Sequence, residues 1–186
     1  MSILPITVYG DKILWQKTKP IQKVDDQLIV TIKNMFSTMR NANGIGLAAN
    51  QVGLNQKFFI IDVSPVEGYE QIKPVVMINP EIISYSDELV IMEEGCLSLP
   101  NLRADVERPK NIIVKYLTAD EEERQIEADD LFARVILHEY DHLIGKMIPD
   151  RVDEKTRNDM KELLLKISKR EVECDYPLTE YESSST

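Results

Sequence analysis

The only two histidines of this 186-residue chain fall in one run of five residues, His138-Glu139-Tyr140-Asp141-His142. Residues four apart on an α-helix lie one above the other on the same face, so both imidazoles can reach a single divalent cation. Glu139 then stands beside the cation and not opposite it. This is the HExxH arrangement, with two nitrogen ligands and a carboxylate placed to move protons for water. Leu131, Val135, His138 and His142 share one face of the predicted helix, Asp129 or Asp130 can cap it, and Gly145 ends it. A chain with this pattern must pass a half-apolar helix through its core. The five residues alone would also suit two helical histidines whose rings are satisfied inside a fold.

The length suits one good-sized core and is short for two. We expect a single catalytic domain over residues 1–170, followed by an acidic, flexible C-terminal tail over 171–186 ending in Ser183-Ser184-Ser185-Thr186. The longest apolar runs, such as Phe58-Phe59-Ile60-Ile61, fall far short of the roughly 20 residues that span a bilayer. The N-terminus lacks the charged and long apolar regions of a signal peptide, so a cytoplasmic location is the default, with Cys96 and Cys174 as free thiols. A net charge of −10 argues against a broad basic surface for nucleic acid and leaves room for a local one.

Apolar spacing predicts a first helix through Leu28, Ile32, Met35, Phe36 and Met39, capped by Asp25 or Asp26 and stopped near Gly44. A glycine- and alanine-rich segment, Gly44 to Gly53, precedes a buried strand at Phe58 to Val63. Further strands are expected at Val75 to Ile78, Glu81 to Tyr85, Leu89 to Met92 and Asn111 to Leu117. The acids from Asp120 to Glu123 suit the tip of a hairpin, and Lys155 to Arg170 forms a last helix with Met160, Leu163, Leu164 and Ile167 on one stripe. The expected fold class is α+β, with mixed or antiparallel sheets around the histidine-bearing helix.

A catalytic site of this type takes three protein ligands, and two residues compete for the third place. Glu162 stands twenty residues beyond His142 on a predicted helix, as in zinc endopeptidases, but its basic neighbours also suit a surface ion pair. Cys96, in Glu94-Gly95-Cys96-Leu97-Ser98, is the other candidate, and it could equally be a small buried hydrophobe. A non-catalytic module that only binds a cation is a further alternative. The Gly44 to Gln51 segment has neither GxGxxG spacing nor a lysine-serine pair, so it is not read as a phosphate loop; its small residues would let an extended peptide add as a strand beside Gly44, Ile45 and Gly46.

Three segments in order, Gly44-Ile45-Gly46-Leu47-Ala48-Ala49-Asn50-Gln51, then Glu94-Gly95-Cys96-Leu97-Ser98, then His138-Glu139-Tyr140-Asp141-His142, resemble the signature motifs of the peptide deformylases. The resemblance runs from the first helix to Lys146 and selects Cys96 over Glu162. It implies metal ligands Cys96, His138 and His142, a general base and acid at Glu139, and oxyanion donors at the Gln51 side chain and the Leu97 backbone. It also implies a methionine pocket from Ile45, Leu97, Leu131, Arg134, Val135 and His138, a structural pair Glu94–Arg108, and Arg103 near the substrate backbone. Two positions depart from the family pattern. Arg134 stands where an aliphatic residue is usual, its stem expected in the pocket and its charge at the mouth; Leu137 replaces the glutamine that commonly precedes the first histidine.

The implied reaction is hydrolysis of the N-formyl group from N-formylmethionyl polypeptides. A thiolate and two imidazoles suit zinc, ferrous iron, cobalt or nickel, and the resemblance implies Fe2+ as the native ion, with Zn2+, Ni2+ or Co2+ able to substitute. The expected partners are N-formylmethionyl peptides and the ribosome near the nascent-chain exit, with no membrane and no sequence-specific nucleic acid. The ribosome enters through the last helix, where residues 155–170 hold six basic and two acidic residues on an acidic chain.

Overall fold

The computed structural model describes residues 1–181. Its elements are α1 (Asp26–Asn41), β1 (Gly46–Ala48), β2 (Phe58–Ile61), β3 (Val75–Tyr85), β4 (Leu89–Cys96), β5 (Leu99–Pro109), β6 (Asn111–Leu117), β7 (Glu123–Asp129), α2 (Asp130–Leu143) and α3 (Glu154–Ser168). Five strands form one sheet in the order β1-β2-β3-β6-β7, and β4 pairs with β5 in a separate hairpin. Every named pair is antiparallel.

β2 explains why the chain needs an unbroken apolar run there. Its alternate residues face opposite sides, and both sides are covered. Phe59 and Ile61 pack with Met77, Val114, Ile136 and Leu137 on the α2 side. Phe58 and Ile60 pack with Leu28, Ile32, Met35 and Met39 of α1 on the other. A third cluster joins Leu102, Ala104 and Val106 of β5 to Met160, Leu164 and Ile167 of α3. Each fully buried side chain of this size contributes roughly 1.5–3 kcal/mol relative to exposure.

Several boundaries differ from the sequence expectation. The expected strands at 75–78 and 81–85 are one strand, β3, interrupted by a register shift between Ile78 and Glu81. Asn79 takes φ 51° and Pro80 has no N–H, which is how a bulge lets one strand continue past a proline. α1 stops before Gly44, at Asn41, with Asn43 in the left-handed region and Gly44 N–H donating back to Met39 C=O at 2.9 Å. Its cap is Asp25, which accepts from Leu28 N–H at 2.9 Å. Gly145 ends α2 at φ 74°, and a Cβ there would lie 2.6 Å from Trp15 O, so both conformation and space require glycine.

The segment expected to be a free acidic tail is tied down as far as Thr179. Ile6 N–H donates to Pro177 C=O and Thr179 N–H donates to Ile6 C=O, both at 2.9 Å, around a parallel bridge between Ile6 and Leu178. Arg170, in the left-handed conformation that turns the chain out of α3, donates to Thr179 C=O at 3.0 Å and pairs with Asp11 at 2.5 Å. These bonds satisfy backbone groups that a loose tail would leave to water. The serine-rich end at 183–186 lies outside the described residues.

Candidate metal centre

α2 is buried along most of its length, from Ala133 to Leu143. Its histidines lie one turn apart, edge to face, with ring centroids separated by 5.1 Å. Cys96 reaches them from the end of β4, where the hairpin register slips between Gly95 and Cys96. A slip of this kind re-aims a side chain that the regular alternation would point elsewhere. Cys96 Sγ lies 3.2 Å from His142 Nε2, and ligand atoms of Cys96, His138 and His142 all lie within 4.8 Å of one another.

The surroundings of the three residues fit a divalent cation. His138 Nδ1–H donates to Glu94 Oε2 at 2.9 Å, which leaves Nε2 as the free lone pair. Burial opposes a charge on His138, yet its contacts with Cys96 and Glu94 push its pKa well above the ordinary imidazole value. Surroundings that favour a proton there favour a cation too. Burial, with His138 and Arg108 adding, holds His142 well below the ordinary value and therefore neutral. Among the described residues, Glu139 Oε2 and His142 Nδ1 are buried without a hydrogen-bond partner. Burial above all pushes the Glu139 carboxyl up to about 7, against the pull of His138.

Gln51 sits in a 3-10 turn, Ala49–Val52, directly after β1. Its Oε1 accepts from Ala48 N–H at 2.8 Å, while Nε2 donates to Ser98 Oγ at 3.1 Å and lies 3.5 Å from Cys96 Sγ. The neighbouring Asn50 donates from Nδ2 to the His142 carbonyl at 2.6 Å, tying this turn to the end of α2. Gly46 is needed for closeness: a Cβ there would collide with the Glu139 carboxylate and come within 2.9 Å of Val135 Cγ1.

Behind the ligands lies a buried polar cluster. Arg108 forks onto Glu94, with Nε to Oε1 at 2.6 Å and Nη2 to Oε2 at 3.0 Å, and reaches Asp141 Oδ2 from Nη1 at 2.7 Å. The cluster therefore rivets the β4–β5 hairpin to α2. Burial raises the Glu94 carboxyl, but hydrogen bonds from His138 and Arg108 overcome it and hold the pKa well below the usual carboxylate range.

Arg134 belongs to this cluster, which corrects the expectation of a charge at the pocket mouth. Its Nη1 donates to Glu94 Oε1 at 2.8 Å and to Val106 C=O at 2.7 Å, and Nη2 donates to Val90 C=O at 2.5 Å. Only 5% of the residue is exposed. A guanidinium sealed beneath the hairpin finds a carboxylate and two carbonyls there, whereas at the mouth it would leave Glu94 with fewer partners. Leu137 packs in the apolar cluster with Ile136 and Leu143 and has no polar atom with which to supply a glutamine's hydrogen bond.

One cavity of about 520 Å³ is lined by Gly44, Ile45, Gly46, Gln51, Glu94, Cys96, Leu97, Arg103, Leu131, Arg134, Val135, His138 and Glu139. Arg103 is at its open side, with a long 3.7 Å pairing to Glu93. Glu162 is nowhere near the histidines: it is exposed on α3 and pairs with Lys166 at 2.7 Å, one helical turn away. The endopeptidase alternative loses its third ligand. Sequence reasoning missed Asn50, Ser98, Asp141 and Tyr176, whose hydroxyl donates to Leu97 C=O at 2.8 Å. Asp141 was within the five-residue motif, and its place on the flank of the histidine face away from Glu139 was the available signal.

Comparison with known proteins points the same way. The sequence profile of the polypeptide deformylase family matches residues 3–158. The peptide deformylase of Chlorobium phaeobacteroides is 46% identical over 182 residues, covering 98% of each chain. That of Prosthecochloris aestuarii is 45% identical over 178 residues, covering 96% of this chain and 95% of the relative. Among solved structures, the Thermotoga maritima peptide deformylase superposes with a TM-score of 0.76 at 42% identity, over 82% of this chain and 99% of its own. A plant peptide deformylase reaches 0.84 at 37% identity, over 90% of each chain.

Proposed function

The chain belongs to the polypeptide deformylase family, and on that premise we propose how its residues divide the work of removing the formyl group from N-formylmethionyl polypeptides. The reaction adds water across a formamide C–N bond and releases formate and a free amino terminus. The observation that carries the assignment is the meeting of Cys96, His138 and His142 beside a buried carboxylate with an unpartnered oxygen.

Cys96 Sγ and the Nε2 atoms of His138 and His142 would hold the metal. When bound, a divalent cation there polarises the formyl oxygen and makes water a competent nucleophile at neutral pH. Glu139, with its carboxyl near 7, accepts the proton of the attacking water and passes it to the departing amine nitrogen. The Gln51 amide, already turned toward Cys96, and the Leu97 N–H stabilise the negative charge that develops on the formyl oxygen. Gly44, Ile45 and Gly46 take the peptide main chain as an added strand, and Leu131 and Val135 line the space for the methionine side chain. Arg103 steers the peptide from the open side.

Fe2+ is the native ion in this reading, with Zn2+, Ni2+ or Co2+ able to replace it; the support is a donor set of one thiolate and two imidazoles. Metal analysis of protein purified without oxygen tests it. We read residues 1–170 as one catalytic domain, with the segment up to Thr179 fastened to it, supported by three apolar clusters that share its helices and sheets. Among the described residues no helix is long and apolar enough to cross a membrane. α3 and its C-cap expose Lys155, Arg157, Lys161, Lys166 and Lys169, which supports docking on ribosomal RNA in the cytoplasm. Reversing the charge of three of these should weaken sedimentation with ribosomes, and unchanged binding would end that proposal.

The test of the reaction is formate release from formyl-Met-Ala by iron-loaded protein, with an unformylated peptide followed in parallel. Formate without internal cleavage is expected. Internal cleavage without formate would return the endopeptidase reading.

A further inference from the structure

A second cavity of about 330 Å³ adjoins the catalytic one, and the two share Ala42, Asn43, Pro100, Asn101 and Tyr176 in their walls. Glu173, Cys174 and Asp175 line only this second cavity, and with the shared Tyr176 they form a wall from the segment that follows α3. That wall is anchored. Tyr176 Oη–H donates to Leu97 C=O at 2.8 Å, Asn101 Nδ2 donates to Glu173 C=O at 3.0 Å, and the chain beyond is bonded to Ile6.

The direction in which a peptide must run follows from the strand beside it. Gly46 abuts the Glu139 carboxylate, whereas Gly44 abuts Leu97 and Met39, and Ala42 and Asn43 reach the second cavity. A formyl carbon at the reacting end therefore starts near Gly46, and the peptide runs antiparallel to residues 46, 45, 44 and 43. At about 3.3 Å per residue, its third and fourth residues arrive where the two cavities join.

Resting on the deformylase reading, we propose that Glu173–Tyr176 form a wall of the subsite for the third and later residues of the nascent peptide, and that this subsite favours cationic side chains. The second cavity is lined by Asn41, Asn43 and Asn101 and by the exposed acidic residues Glu173 and Asp175, and among the described residues no Lys or Arg lines it. An incoming lysine there meets two acidic residues and no fixed cation of the cavity wall. An incoming glutamate meets like charge.

Metal-loaded full-length chain and its Glu173→Gln/Asp175→Asn double variant would be compared on formyl-Met-Ala, formyl-Met-Ala-Lys-Lys amide and formyl-Met-Ala-Glu-Glu amide at low salt. The unmodified chain is expected to favour the lysine peptide over the glutamate peptide by roughly fivefold in kcat/KM, carried by KM, as solvent-exposed charge pairs allow. The double variant should bring that ratio near one and leave formyl-Met-Ala unchanged. Equal use of the two tetrapeptides by the unmodified chain, or a ratio that survives the double substitution, would overturn the proposal. Loss of formate release from formyl-Met-Ala in both proteins would instead strike the deformylase reading itself.

Discussion

Glu94 Oε2 accepts the Nδ1–H of His138 at 2.9 Å, so a buried carboxylate on β4 fixes the ring of a candidate metal ligand on α2. The same carboxylate is gripped by Arg108 and Arg134. Ligand orientation and the docking of the hairpin on the helix are thus one structural feature.

Replacing that carboxylate by an amide tests the orienting role. Glu94→Gln keeps the size and removes the charge that the His138 N–H and two guanidinium groups share. Metal affinity, measured by competition with a chelator, should fall by about 10- to 100-fold, the usual cost of losing a partner behind a histidine ligand. Unchanged affinity would show that His138 is oriented by helix packing alone.

Arg108 should be worth more to the fold than to the chemistry. It is 4% exposed and bonds both Glu94 and Asp141. Arg108→Ala leaves two buried carboxylates short of a partner, a change that typically costs about 3–5 kcal/mol. At roughly 2–4 °C per kcal/mol for a chain of this size, the melting temperature should drop by about 10 °C. A shift of under about 2 °C by calorimetry would mean that Arg134, which bonds Glu94, and Arg151, whose Nε donates to Asp141 Oδ2 at 2.8 Å, can replace it.

Gly46→Ala places a methyl group against the Glu139 carboxylate. The expected result is a fall in kcat of about 100-fold, the scale on which displaced catalytic groups act, with metal content retained. Near-normal turnover would show that β1 can shift without disturbing Glu139.

The Asp62–Arg40 pair gives a pH prediction away from the metal. Burial raises the Asp62 carboxyl, but hydrogen bonds from Ser64 and Arg40 leave its pKa lowered in the folded state. Arg40 Nη2 lies 2.8 Å from Asp62 Oδ2 and joins the end of α1 to the residue after β2. A lowered folded value means that the stabilisation is complete above the unfolded carboxylate value of about 4 and is lost as pH falls through the folded value. The stability gap between the unmodified chain and Asp62→Asn should be flat from neutral pH to about 5 and narrow below about 4. A gap that widens on acidification would contradict the assignment.

Local pattern made the helices legible. The histidine helix, its glycine stop and the surface pairing of Glu162 could all be read from spacing. β5 could not: its inward row is Leu102, Ala104, Val106 and Arg108, and an alanine and an arginine hide the alternation that marks a strand. Arg134 was misplaced because a long basic side chain ordinarily reaches for water, and only the folded hairpin shows the carboxylate and carbonyls waiting for it. Cys96 lies 42 residues before His138, and no local rule links them; the family resemblance supplied the connection. Tyr176 was hidden for the reason that the whole segment was, since an acidic stretch after the last helix has no periodicity to show that it returns to the cleft.

Glu139 is proposed to move protons in a site whose cation it does not hold. Formate release from formyl-Met-Ala should be compared between the unmodified chain and Glu139→Gln, with metal content measured on the same samples. The variant is expected to keep its full metal content and to lose turnover by at least about 100-fold. Retained turnover, or loss of the metal along with the activity, would contradict it.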